Sequence, residues 1–183
     1  LEKGKEVGLK IKIHADEIVS LGGAGLAVEL GANSADHLMA ISEKDIESLA
    51  QSNTVANLLP STSFYLDKEY APARKLIEKN AIVSISSDMN PGSSPNENFQ
   101  FVQQLGCLKL KMTPEEVLTA TTINGAFNLG LQDQVGSLEI GKKADILLMD
   151  APNLKYIYYH FGINHVKDIL KNGKVIFHNR RYV

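Results

Sequence analysis

Ile11-Lys12-Ile13-His14-Ala15-Asp16-Glu17 reads as a short strand that runs into a histidine with two carboxylates behind it. Leu9, Ile11 and Ile13 alternate with Lys10 and Lys12, the period of two that marks a strand. His14 then falls at the carboxyl end of the strand, with Asp16 and Glu17 in the loop that follows. In an α/β barrel that end is where chemistry is placed. An imidazole there is a ready metal ligand, and a carboxylate three residues on is a ready proton carrier. The same residues also suit a plainer role, a rim histidine beside a helix-capping acid. The rest of the chain decides between the two.

Strand and helix patterns alternate after this stretch. Residues 19–31 form a small-residue helix closed by Gly31, and residues 34–38 a second strand running into His37. Ser42 caps a helix through Ile46, Leu49 and Ala50, with Asp45 at the capping-box position. Residues 54–60 read as a third strand and 73–79 as a helix stopped by Asn80. Residues 81–88 are a fourth strand, apolar and small, ending in Asp88. Strands each followed by a helix imply a parallel sheet with right-handed crossovers. Four such units are half of a (β/α)8 barrel, which normally needs about 250 residues. The alternative is an open doubly wound sheet, but no glycine-rich phosphate turn follows the first strand. Either architecture puts His14, His37 and Asp88 on one rim.

Beyond Asp88 a turn-rich loop leads into an amphipathic helix over 97–110, with Phe101, Leu105, Leu108 and Cys107 expected on its buried face. Thr113 and Pro114 open the next helix with Glu116 at the capping-box position, and a further helix over 120–129 follows. Then the period changes. Residues 136–150 read as a turn and a strand, and 166–176 as a hairpin around Asn172-Gly173. The expected fold is therefore α/β. Residues 1–133 form half of a barrel with its following helices, and residues 134–183 part of a small β-sandwich subdomain.

Composition narrows the function classes. The 183 residues are 44% hydrophobic with a formal charge of −2, ordinary for a globular protein and without the polyelectrolyte signature of a nucleic-acid or charged-membrane partner. Cys107 is the single cysteine, which excludes an internal disulfide framework and suits a reducing, cytoplasmic compartment. No apolar run has the length of a membrane span, and no signal peptide is evident. The chain opens on Leu1 within a charged segment, so it reads as a piece of something longer.

The strand-end residues His14, His37 and Asp88, with the segment 135–145, resemble the amidohydrolase superfamily. Within it, the stretches 12–17, 34–39, 88–93 and 158–166 resemble the imidazolonepropionase family over essentially the whole chain, which would correspond to the C-terminal portion. The resemblance implies a metal-dependent hydrolase that opens the cyclic amide of 4-imidazolone-5-propanoate to N-formimidoyl-L-glutamate in histidine degradation, using one divalent ion, zinc or iron. It implies His14 and Asp88 as metal ligands, Asp88 also taking a proton, and Glu17 contacting the substrate ring and handling protons. It further implies His37 polarising the scissile carbonyl, with Asn90, Gly92 and Ser93 holding the substrate.

Two departures from the family pattern matter. The superfamily takes two ligands from a His-x-His motif, and none occurs in these residues; Met89 stands where some relatives have His. The chain alone is therefore expected to be inactive. Its expected partners are a small-molecule substrate, the N-terminal half of the barrel and a second copy in a homodimer. The alternatives are another amidohydrolase acting on a cyclic amide or amidine, and a non-catalytic half-barrel whose open strand edges pair with another chain. Asp16 is expected to be structural, His160 and His165 packing residues, and His178 a solvated residue beside Arg180 and Arg181.

Overall fold

A computed structural model describes residues 1–179 and 181–182. After a short helix α1 (Glu2–Glu6), the chain runs β1 (Lys12–Ala15), α2 (Gly23–Glu29), β2 (Ser34–His37), α3 (Glu43–Ala50), β3 (Val55–Leu58), α4 (Pro60–Tyr65), α5 (Ala73–Glu78) and β4 (Val83–Ile85). These strands form one parallel sheet in the order β1-β2-β3-β4, as expected. Helices α6 (Phe99–Leu108), α7 (Pro114–Thr121) and α8 (Ile123–Leu129) follow. A separate antiparallel sheet, β5 (Ile146–Met149), β6 (Val166–Lys171), β7 (Lys174–His178) and β8 (Arg181–Tyr182), is interrupted by α9 (Leu154–Tyr159). Asn172 and Gly173 both take positive φ, 50° and 76°, the two-residue hairpin that the Asn-Gly pair predicts.

The register of the parallel sheet sorts its two faces. Ile13, Ala35, Ala56 and Val83 lie in one row across the strands, and His14, Asp36, Asn57 and Ser84 in the next. Successive side chains of a strand point to opposite faces. The first row is apolar and packs into the core with Ala24 and Ala27 of α2, Ile46 and Leu49 of α3 and Leu76 of α5. The second face is polar and tied to α8. Lys12 Nζ donates to Asn128 Oδ1 at 3.0 Å, Asn128 Nδ2 donates to Ser84 Oγ at 3.1 Å, and Ser84 Oγ donates to Asn57 Oδ1 at 2.8 Å. Chemistry on this sheet therefore belongs to the face away from α2 and α3, where His14 projects.

Several boundaries differ from the sequence reading, each for a physical reason. Helix α2 begins at Gly23 because the Asp16 carboxylate accepts the backbone N–H groups of Leu21, Gly23 and Ala24 at 2.8, 3.2 and 3.0 Å, holding residues 17–22 as a loop. Asp16 is thus the structural residue it was expected to be. Strand β4 stops at Ile85, and Asp88 lies beyond it in the loop with φ +50°. Pro60 does not end a strand; it starts α4, where its missing N–H costs nothing. The buried face of α6 carries Val102, Leu105 and Gly106, while Leu108 is exposed. Gly106 accounts for that rotation: a Cβ there would come within 2.9 Å of both Ile85 Cδ1 and Val117 Cγ2, so the helix seats its backbone on them.

Cys107 packs against the core, where burial pushes its thiol up to about 11, a poor nucleophile near neutral pH. His165 is buried and its N–H is accepted by Gln100, while the His160 ring lies 4.2 Å from that of Tyr156. Both fill packing roles. His178 pairs with Asp168 at 2.9 Å, and Arg180 lies outside the described residues. No helix among the described residues is long and apolar enough to cross a membrane.

The capping box of α7 is tied to α5. Glu116 accepts Thr113 N–H and receives both terminal nitrogens of Arg74 at 2.8 Å. Hydrogen bonding from Arg74 holds the Glu116 carboxyl below its ordinary range. A carboxyl lowered in the folded state contributes stability that is full above its unfolded pKa and is lost as pH falls through the folded value. Glu116→Gln is expected to cost about 0.5–1 kcal/mol at neutral pH and to flatten the acid limb of stability measured by urea denaturation. An unchanged acid limb would contradict this reading.

Candidate active site

The site begins with two strand ends held in strained backbone. Asp16 after β1 has φ +48°, and His37 at the end of β2 and Leu38 just past it have φ +81° and +67°. Left-handed conformation at non-glycine residues costs about 1–3 kcal/mol each and persists only where the surroundings enforce it. Here Leu38 N–H donates to Ala15 O at 3.1 Å and Ala40 N–H to Asp16 O at 2.7 Å, locking the end of β2 across the end of β1. Leu38 is fully buried beneath the turn. The turn swings the His37 ring over the neighbouring strand.

His37 Nε2 comes to 3.0 Å from His14 Nδ1, with the two ring planes inclined at 45°. On its other side His37 Nδ1 faces Glu17 Oε1 at 3.7 Å and has no hydrogen-bond partner, although the side chain is only 2% exposed. The carboxylate favours a proton on Nδ1. His37 Nε2 is then the acceptor, and His14 Nδ1 the donor, of the contact between the rings. Burial lowers the His37 pKa, against the opposing pull of the Glu17 and Asp88 charges. A neutral, desolvated imidazole thus lies between another imidazole and a carboxylate.

Ligand-type atoms of His14, Glu17 and His37 all lie within 4.8 Å of one another. Asp88 stands outside that group, near enough for its charge to favour protonated His37. Its Oδ2 accepts the Thr62 hydroxyl at 2.5 Å. The next loop is organised by Asn90: its Oδ1 accepts Gly92 N–H at 2.9 Å and Ser93 N–H at 2.8 Å, and its Nδ2 donates to Asp88 O at 2.7 Å. Gly92 and Ser93 N–H are thus engaged within the loop, and a ligand using them would displace the Asn90 amide. Of the residues singled out in the sequence, His14, Glu17 and His37 form one cluster, Asp88 flanks it, and Asn90, Gly92 and Ser93 form a self-bonded turn behind Asp88.

Sequence reasoning missed Thr62. The signal was Pro60-Ser61-Thr62-Ser63, a run of small polar residues just past a buried strand, all of them buried here. A cleft of about 460 Å³ beside Asn33, Thr54 and Gln132 lies at the opposite, amino end of the strands, away from His14.

The sequence matches the amidohydrolase family over residues 5–177. It is 58% identical over 177 residues to a protein of Fusobacterium nucleatum named imidazolonepropionase, covering 97% of this chain and 43% of the relative. A protein of the same name from Alkaliphilus metalliredigens is 54% identical over 184 residues, covering 100% of this chain and 44% of the relative. The chain therefore spans less than half the length of these curated relatives. Among solved structures, it is similar to an adenosine deaminase from Xanthomonas campestris with bound zinc, at a TM-score of 0.83 and 20% identity, covering 100% of this chain and 48% of that one. It is also similar to a mutant atrazine chlorohydrolase of Arthrobacter aurescens complexed with zinc, at 0.79 and 18%, covering 100% and 47%. These likenesses establish the half-barrel fold.

Proposed function

This chain belongs to the amidohydrolase family, and we propose that it carries half of an imidazolonepropionase site, hydrolysing the cyclic amide of 4-imidazolone-5-propanoate to N-formimidoyl-L-glutamate. The convergence of His14, His37 and Glu17 at two strained strand ends, flanked by Asp88, carries the reading. The names of the relatives at 58% and 54% identity supply the substrate. We divide the chain into a half-barrel with its following helices, 1–133, and a β-sandwich segment, 134–183.

The donor set fits a divalent ion. Imidazole nitrogen and carboxylate oxygen suit zinc or iron, and the buried His37, its pKa lowered by burial, keeps a ring nitrogen with no hydrogen-bond partner. We assign His14 and Asp88 as the ligands this chain supplies. Such an ion, when bound, lowers the pKa of water to about 7 and polarises a carbonyl. The chain's own side chains do the rest. Asp88 accepts the proton released from the attacking water. The His37 Nδ1–H, which lacks a hydrogen-bond partner, is the donor left to stabilise the charge that develops on the carbonyl oxygen. Glu17, 3.7 Å from His37, handles the ring proton, and Asn90, Gly92 and Ser93 receive the propionate once the loop opens its internal bonds.

The test is a hybrid in which this chain replaces the matching segment of the Fusobacterium relative. The hybrid is expected to bind about one divalent ion and to release N-formimidoyl-L-glutamate. The 183-residue chain alone, with no His-x-His pair and thus short of the three protein ligands usual in a catalytic site, is expected to give no turnover. A folded, metal-loaded hybrid that leaves the substrate intact would overturn the assignment.

A further inference from the structure

We propose that Thr62 is a positioning residue for Asp88, and that the turn Pro60–Ser63 after β3 serves as a clamp on the loop after β4. The clamp has two contacts. Thr62 Oγ1 donates to Asp88 Oδ2 at 2.5 Å, and Asn96 Nδ2 donates to Ser61 Oγ at 3.2 Å. They hold the loop at its beginning and near its end. Thr62 is fully buried and Ser61 is 2% exposed, so neither hydroxyl has water as an alternative partner.

Asp88 needs such a restraint. It lies three residues past the last residue of β4 with φ +50°, so no sheet ladder fixes it. A carboxylate off the end of a strand can turn about its Cα–Cβ bond unless one oxygen is held. Thr62 occupies Oδ2 and leaves Oδ1 to an ion, on a carboxylate whose charge already reaches His37. A hydroxyl can donate only one hydrogen, so the restraint acts on one oxygen and leaves the other open. The short helix α4 makes this possible: Pro60 at its first position starts the helix just past the end of β3, with Leu59 between them as its N-cap, and the polar residues 61–63 of its first turn are buried. Partners of this kind, which orient a ligand and do not themselves bind the ion, typically govern metal affinity by 10–100-fold, about the effect expected here.

This inference rests on the assignment of Asp88 as a metal ligand, and the experiment separates the two. Zinc is titrated by calorimetry, up to millimolar concentration, into the 183-residue chain and its Thr62→Val and Thr62→Ser variants, with circular dichroism as the check on folding. Crystal structures of the metal-free chain and of Thr62→Val accompany the titration. Thr62→Val keeps the shape and removes the donor; it is expected to weaken zinc binding about 10-fold or more and to leave the Asp88 carboxylate turned from its present orientation. Thr62→Ser restores the hydroxyl and is expected to bind within about twofold of the unaltered chain. Equal affinity in all three proteins would overturn the proposal. If the unaltered chain, which lacks the His-x-His pair, takes up no zinc, the ligand assignment of Asp88 is left to the metal content of the hybrid and the crystal structure decides for Thr62. A turned carboxylate in Thr62→Val then supports the positioning role, and an unmoved one overturns it. If Thr62→Val does not fold, Thr62→Ala decides: affinity about 10-fold or more weaker than the unaltered chain would support the proposal, and equal affinity would overturn it.

Discussion

Asp88→Asn in the hybrid enzyme is expected to lower turnover of 4-imidazolone-5-propanoate by about 10²–10⁴-fold, the range for loss of a positioned acid or base. The side chain keeps its shape and can still accept the Thr62 hydroxyl through its amide oxygen, so the loop is expected to stay where it is. The amide cannot take up a proton at neutral pH, and it is a weaker metal donor than a carboxylate. Both losses fall on the same residue, which makes this the most damaging isosteric change in the site. Glu17→Gln gives the contrast. If Glu17 works on the ring and does not hold the ion, Glu17→Gln keeps the metal content of the hybrid while slowing turnover. Metal analysis alongside rate measurement separates the two carboxylates. A hybrid that loses its metal on Glu17→Gln and keeps it on Asp88→Asn would assign the ion to the His14, Glu17 and His37 cluster instead.

The second large effect is on stability. Asp16→Ala in the 183-residue chain is expected to cost about 3–5 kcal/mol, at the upper end of what single substitutions do. Asp16 is 5% exposed and its two oxygens accept three backbone N–H groups, two of them in the first turn of α2. Alanine removes the partner of all three donors, leaves the buried Ala24 N–H unsatisfied and removes a negative charge from the amino end of a helix. Asp16→Asn keeps one acceptor oxygen and should lose roughly half as much, since charge-assisted bonds are about twice as strong as neutral ones. Urea denaturation measures both. A change within about 1 kcal/mol, the ordinary single-mutant effect, on Asp16→Ala would mean that the loop 17–22 finds other acceptors and that Asp16 does not anchor it.

The parallel sheet was legible in the sequence because each of its strands carries a local pattern bounded by its own turn residues. His14 and His37 were legible for the same reason, as residues at the ends of short strand patterns. What could not be read was whatever depends on contacts between distant segments. The rotation of α6 is set by Gly106 fitting against Ile85 and Val117, and periodicity alone offered Phe101 and Leu108 instead. The offset of Asp88 from β4 follows from a loop conformation that no residue pattern announces. Helices α4 and α9 have six residues each; α5 is as short but carries good helix formers and a stop at Asn80, whereas Pro60-Ser61-Thr62-Ser63 and the aromatic run of α9 lack that signal. Glu17 was read correctly as a loop residue, but its approach to His37 depends on the turn at His37 and Leu38, and two consecutive left-handed non-glycine residues run against local preference.

The strand order bears on how the sheet assembles. Each strand of the parallel sheet pairs with the next in sequence, Lys12 with Ser34, Ser34 with Val55 and Ala56 with Val83, loops of roughly twenty to thirty residues. The bond between Lys12 and Asn128 closes 116 residues at once. Loop-closure entropy grows with the logarithm of length, so joining those two residues in a disordered chain costs about 1.4 kcal/mol more than pairing adjacent strands. Once the strands have paired, most of that cost has been met. The sheet can therefore zip together in short sequential steps, with α8 fastening its first strand to its last.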